Sequence, residues 1–229
     1  MESDTGDIDM KSKEWLNYWD SRYEVGNIKF IDNRRNHPCR KFFADWVINS
    51  PQIKSILEAG PGEMVEYNLI VKERPDIKYS IIDVAKIFIK NCKKKYPSVR
   101  TYLIPLEELN LFKEKQFDCV FQTAVFEHSS DVIKAIKNFM YVGKTFHFVF
   151  FQWSFGGTLI PRYFPEKKLF SSKFNIRLIM REIEKYGDIE YATICMNETG
   201  ELVPFDKFSE RKKGYWRSGD YLMIHGKTK

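Results

Sequence analysis

The stretch SILEAGPGEMVEY, Ser55–Tyr67, decides how the chain is read. A short apolar run leads into Gly-Pro-Gly and then into a helical pattern. The glycines therefore make either a tight strand-to-helix turn or a loop that lets the backbone approach a ligand. Around this stretch, apolar runs at 55–57, 79–83, 100–104, 117–123 and 145–151 predict buried strands. Helical spacing lies between several of them: Ala85, Phe88, Ile89, Cys92 and Tyr96 share one face, as do Val132, Ile136, Phe139 and Met140, with Ser129 or Ser130 as N-cap. A third such face holds Ile176, Ile179, Met180 and Ile183. Strands apolar on both sides, alternating with amphipathic helices, predict a parallel sheet covered on both faces. Two further strand-like runs, 189–196 and 221–227, have no helical pattern between them and predict a closing antiparallel pair. The expected fold is a doubly wound, mostly parallel seven-stranded, Rossmann-like α/β sheet spanning residues 51–229. Residues 1–50, helical and aromatic in WLNYWDSRY and KFFADWVINS, are expected to form a mobile cap over one end of it.

Composition bounds the function. A chain of 229 residues with 43% hydrophobic residues supports one substantial core. Nineteen Phe and twelve Tyr predict an aromatic core and an aromatic-lined pocket. The net charge of +6 permits an anionic partner, but the lysines are scattered along helix faces. The dense basic groups, NCKKKY (91–96) and SERKKGYWR (209–217), form no continuous stripe beside a reading motif, which argues against nucleic acid. Cys39, Cys92, Cys119 and Cys195 lack Cys-x-x-Cys spacing and read as reduced, buried thiols. The acidic, polar start is unlike a signal peptide, and the longest apolar run is far too short to span a bilayer, so a cytoplasmic protein is expected.

In open α/β sheets ligands bind at the carboxyl ends of the strands, and Gly60 and Gly62 sit at the first such turn. Asp83 ends the next strand roughly 20 residues after Gly62, where a carboxylate accepts the hydrogens of a ribose diol; it also suits the N-cap of the following helix. No third glycine follows Gly62 to complete a dinucleotide fingerprint, Met64 standing in that stretch, and Glu58 precedes the turn. A pyrophosphate would be repelled by that carboxylate, whereas a ligand with an ammonium group and a ribose would be attracted.

On these residues the chain resembles the class I S-adenosylmethionine-dependent methyltransferases. The resemblance runs from about Lys54 to Phe151 and rests on ILEAGPGE, SIIDVA, LIPLEELNLF and FDCVFQTAVFEH in order. VFEHSSD, WDSRY and HFVFFQW are similar to the small-molecule branch, including sugar O-methyltransferases. The resemblance implies S-adenosyl-L-methionine as cofactor and a small polar acceptor, such as a hydroxyl of a sugar or glycan intermediate. Acceptance by RNA, protein or a lipid-like ring, or a cofactor-binding module without catalysis, are the alternatives. It implies further that the backbone of Glu58, Gly60 and Gly62 cradles the methionine part, Asp83 holds the ribose and Val84 flanks the adenine. Leu106 would offer its backbone N–H where the family often has an Asp, and Gln122 and Thr123 would line the cofactor beside the departing methyl.

Methyl transfer to a hydroxyl needs positioning and a base. His128, after Glu127 at the mouth of the sheet, is the first candidate, and His37 in the cap is the second; Glu127 and His128 also suit structural roles. Trp19, Tyr23 and Trp153 offer ring faces to a cation or a sugar. Trp15 and Trp46 read as core under the cap, as do His147 and His225 within strands. No acidic cluster for a metal is evident near the fourth motif.

Overall fold

The computed structural model describes residues 5–24, 36–156, 158–197, 199–206 and 220–229, with side chains of the first helix from Glu14 to Tyr23. The basic group at 209–217 lies outside the described residues. In chain order the main elements are α1 (Thr5–Glu24), α2 (Pro38–Ile48), β1 (Ser55–Ala59), α3 (Val65–Glu73), β2 (Lys78–Asp83), α4 (Lys86–Lys95), β3 (Arg100–Leu103) and β4 (Phe117–Thr123). A 3₁₀ turn at Phe126–His128 leads to α5 (Val132–Val142) and β5 (Gly143–Phe150). Four two-residue strands follow: β6 (Trp153–Ser154), β7 (Tyr163–Phe164), β8 (Leu169–Phe170) and β9 (Phe174–Asn175). Then come α6 (Ile176–Glu184), β10 (Gly187–Cys195), β11 (Leu202–Pro204) and β12 (Tyr221–Thr228).

The main sheet has eight strands, not the expected seven, in the order β11-β10-β12-β5-β4-β1-β2-β3. The extra one, β11, is a three-residue edge strand that pairs only with β10, too short to show a periodic pattern. Strands β3, β2, β1, β4 and β5 run parallel. Strand β12 inserts antiparallel between β5 and β10, so the closing pair found in the sequence makes the sheet mixed.

Alternation along each strand divides the core in two. Leu57, Val120, Phe146 and Phe148 pack under α5 and α6. Ile56, Ile81, Cys119 and Phe121 pack under α2, α3 and α4, where Phe43 and Val47 of α2 join them. The expected cap is thus not one piece. Helix α2 is a layer of the core because Cys39, Phe43, Ala44 and Val47 form a buried face, whereas α1 lies over the strand ends against α4 and β8. The N-cap of α5 is Asp131, whose carboxylate accepts the Lys134 amide. Ser129 and Ser130 instead donate their hydroxyls to the buried Glu107.

His147 and His225 face each other across β5 and β12 with ring centroids 5.8 Å apart. Both are buried, and Phe43 and Trp46 of α2 lie against them. Burial, with His225 beside it, holds the His147 imidazole well below its ordinary range, and burial lowers His225 to about 4. The unfolded chain takes up protons near pH 6.5 that the folded chain refuses, so stability is full above about pH 6.5 and is lost as pH falls. The unfolding free energy measured in urea is expected to drop between about pH 6.5 and 4, by up to about 1.4 kcal/mol per pH unit for each histidine. His147→Phe, which fits the aromatic stack, should flatten that slope; an unchanged slope would remove His147 as its source.

Candidate active site

One cavity of about 400 Å³ opens at the carboxyl ends of β1, β2 and β4, beside the switch between β1 and β4. Gly60 and Gly62 both take positive φ, +53° and +55°. A Cβ on Gly60 would stand 2.8 Å from the Val125 side chain, so the turn admits no side chain there. Met64, two residues beyond Gly62 at the start of α3, adopts the left-handed conformation, at φ 60°, with its side chain buried. The backbone need that a glycine would meet is present, and a methionine bears its strain.

Gly60, Gly62, Asp83, Val84, Leu106, Thr123, Tyr23 and His128 all line the cavity. Asp83 accepts the Ala85 amide through one oxygen while facing the cavity, so its capping and ligand-facing roles coexist. Burial pushes its carboxyl up to about 7, against the pull of the Ala85 and Val84 amides. Burial and the neighbouring Asp83 keep the Tyr23 phenol well above its ordinary range, hence neutral.

The side chains of four expected site residues turn elsewhere, among them Glu58, whose expected contact is through its backbone. Glu58 is turned into the α2/α3 face, where Tyr79 donates its hydroxyl to it at 2.8 Å. Burial and then the nearby Glu66 raise its pKa well above the carboxylate range. Gln122 is fully buried and pins the turn after β4: its amide donates to the Val149 carbonyl and its oxygen accepts the Val125 amide. Glu127 is equally buried, and its carboxylate accepts the amides of Phe151 at 2.7 Å and Gln152 at 3.2 Å, fastening the end of β5. His37 caps α2, accepting the Cys39 amide, and stacks on Tyr221 at 3.9 Å. Pro38 after it was the available signal, because proline holds its predecessor extended and favours the first helical position. Trp153 is likewise core, donating to the Asp220 carbonyl.

His128 differs from its neighbour. Its Nδ1 lies 2.9 Å from the Phe170 carbonyl, which can only accept, so Nδ1 carries the proton and Nε2 of the neutral ring is the basic atom. Trp19 meets the ring edge-on at 5.1 Å.

The sequence reading missed Arg40. Its guanidinium lines the cavity beside the glycine turn and contacts both oxygens of Glu66 at 2.6 Å. Thr123 donates its hydroxyl to the same carboxylate. Burial opposes the Arg40 charge, but Glu66 outweighs it and keeps the guanidinium protonated. No spacing rule links Arg40 on α2 to Glu66 on α3. The sequence also gave no sign that the segment after β5 would add Lys167, Leu169 and Ser171 to the wall.

Residues 57–145 match a family model described as a methyltransferase domain. Over these residues the chain is similar to a methyltransferase domain. S-adenosylmethionine is the cofactor of such domains. Among solved structures, a chain of the complex between the Haloferax volcanii Trm112 methyltransferase activator and a methyltransferase superposes with TM-score 0.64 at 11% identity, covering 91% of this chain and 97% of that one. The 1,6-didemethyltoxoflavin-N1-methyltransferase of Burkholderia thailandensis, with its acceptor and S-adenosylhomocysteine bound, gives 0.62 at 12% identity, covering 91% and 84%. The N-methyltransferase NodS of Bradyrhizobium japonicum, in complex with S-adenosylhomocysteine, gives 0.52 at 13%, covering 84% and 89%. At these identities the likeness is one of fold. No match was found among curated protein sequences.

The residues present fit this cofactor: a side-chain-free cradle at Gly60, a carboxylate at Asp83, apolar Val84 and Leu106 beside it, and a cation at Arg40. Two outcomes follow. With Asp83 accepting the ribose hydroxyls as the resemblance implies, S-adenosylhomocysteine affinity, measured by calorimetry, should rise with pH up to about 7, by at most about tenfold per unit. Asp83→Asn should weaken binding and abolish that dependence. Separately, Glu66→Ala should cost about 3–5 kcal/mol in urea denaturation by leaving Arg40 buried and unpaired. The Arg40→Met/Glu66→Leu double variant should recover most of that stability without recovering cofactor affinity; recovered affinity would show that Arg40 does not contact the cofactor.

Proposed function

We propose that this chain transfers the methyl group of S-adenosylmethionine to a hydroxyl or amine of a small molecule. The observation that carries the reading is the meeting, in one cavity, of the Gly60 turn, Asp83 and a histidine whose tautomer is fixed. When bound, the cofactor supplies an electrophilic methyl on a sulfonium. Asp83 and the Gly60–Gly62 backbone hold and orient it, with Arg40 placed for its carboxylate. Nε2 of His128 receives the proton of the acceptor, while the Nδ1 bond to Phe170 keeps the ring from turning. Trp15, Trp19 and Phe151 exclude water from the acceptor side.

The wall formed by α1 and the β7–β8 ribbon suits a compact acceptor better than a polymer, and in this reading α1 alone performs the cap's part in choosing it. Two of the fold relatives named above are N-methyltransferases, one solved with a small heterocyclic acceptor, which supports a small molecule and leaves nitrogen beside oxygen as the atom methylated. A sugar or glycan hydroxyl is one acceptor of this kind. Glu127 acts in support, by fastening residues 151 and 152.

His128→Ala should lower turnover by roughly 100- to 10,000-fold with S-adenosylhomocysteine affinity unchanged. It should also lose the acid limb of the pH–rate profile. A parallel, modest fall in turnover and affinity would make His128 a wall of the pocket only.

A further inference from the structure

Resting on that reading, we infer that Ser172 is a positioning residue for His128: it mounts the carbonyl that fixes which nitrogen of the imidazole takes the acceptor's proton. In a neutral histidine the hydrogen bond made by one ring nitrogen sets the state of the other. Here the bond is to the main-chain carbonyl of Phe170, 2.9 Å from Nδ1. The tautomer is therefore only as well defined as the place of that carbonyl.

Phe170 ends β8, which pairs with β7 through two rungs, Tyr163 with Phe170 and Phe164 with Leu169, outside the main sheet. A two-stranded ribbon of this length is marginal by itself in water, so bonds beyond the ladder decide where it lies. Ser172 supplies them two residues further on. Its hydroxyl oxygen accepts the Arg162 amide at 2.9 Å, and the Ser171 amide donates to the Arg162 carbonyl at 3.0 Å, which closes the open end of the ribbon. The Ser172 amide donates to the Glu127 carbonyl at 2.9 Å. The chain leaving β8 thus grips two consecutive residues of the 3₁₀ turn, His128 through the Phe170 carbonyl and Glu127 through the Ser172 amide.

Two further observations give Ser172 this part. Its side chain is buried, at 3% exposure, where a hydroxyl is costly unless it is bonded. Among the described residues the cavity is lined by its neighbour Ser171 and not by Ser172, so its work is done behind the wall. The same turn is anchored from the other side, because the Glu127 carboxylate accepts the amides of Phe151 and Gln152 beyond β5. His128 sits between the two anchors. A reacting group is held to its productive geometry by such supporting bonds, made by residues that never meet the substrate.

The test is nitrogen-15 NMR of the histidine rings at alkaline pH, in protein saturated with S-adenosylhomocysteine. The chain has four histidines, and the His128 signals are assigned by their loss in His128→Ala. The wild type is expected to carry the His128 proton on Nδ1, in slow exchange with water. Ser172→Ala should speed that exchange, and raise the ratio of the Nε2–H form to the Nδ1–H form, by roughly 3- to 10-fold, the effect of one ordinary hydrogen bond. The His147 and His225 signals and the S-adenosylhomocysteine affinity should stay unchanged, as the check on folding. Ser172→Thr, which keeps the oxygen, should exchange like the wild type. A wild-type His128 protonated on Nε2, which needs no variant to detect, would overturn the inference, as would an unchanged exchange rate in folded Ser172→Ala. Failure of the wild type to bind S-adenosylhomocysteine would overturn the methyl-transfer reading instead, and the ring spectra of the unliganded protein would still decide where the proton sits.

Discussion

The Glu66 carboxylate ties together the parts from which the site is made. It lies on α3 directly after the glycine turn, grips Arg40 of α2 with both oxygens and accepts the hydroxyl of Thr123 at the end of β4. Three elements far apart in sequence are thereby fixed at the floor of one cavity. The pair is buried, so its attraction acts in a medium of low dielectric, and either partner alone would be an uncompensated charge. Glu58, on the same face, accepts the Tyr79 hydroxyl, and burial together with Glu66 pushes its pKa up.

Around that floor, other buried polar groups hold the loops. Gln122 bonds to β5 and to the turn after β4, and Glu127 takes two amides beyond β5. Both were expected at the site, and each stands next to a residue that does face the cavity. Their neighbours Thr123 and His128 line it, while they supply the hydrogen bonds that put those neighbours in place. A side chain that satisfies backbone donors in the core is withdrawn from ligand chemistry by the cost of leaving those donors unmade. Ala124 at φ 61°, in the cavity wall, and Met64 at φ 60°, in the core after the glycine turn, add backbone strain, a cost that the surrounding packing must offset.

The two halves of the cavity arise differently. The cofactor half is a property of the parallel sheet: strand ends diverge at the switch between β1 and β4 and leave a crevice. The acceptor half comes from α1 and the short ribbons after β5, where ring-on-ring contacts take the place of sheet hydrogen bonds. Trp15, Trp19, Phe151 and Phe170 come from three separate segments and meet only there.

The sequence by itself determined the parallel strands, the helices between them and the glycine turn with Asp83 beyond it. Each of these is a local pattern: period two or full apolarity in a strand, a 3.6-residue stripe in a helix, a turn that only small or left-handed residues can make. It also contained the His37-Pro38 cap, since proline restricts its predecessor through a covalent ring. Tertiary structure alone decided which way each polar side chain turns and which distant segments share a wall. Whether Glu127 or His128 faces the cavity depends on the register of a 3₁₀ turn against β5 and β8. Arg40 reaches the glycine turn because α2 belongs to the core, where its apolar face had to be buried, and not to a detached cap. Long-range burial sets these outcomes, and adjacent residues carry no record of it.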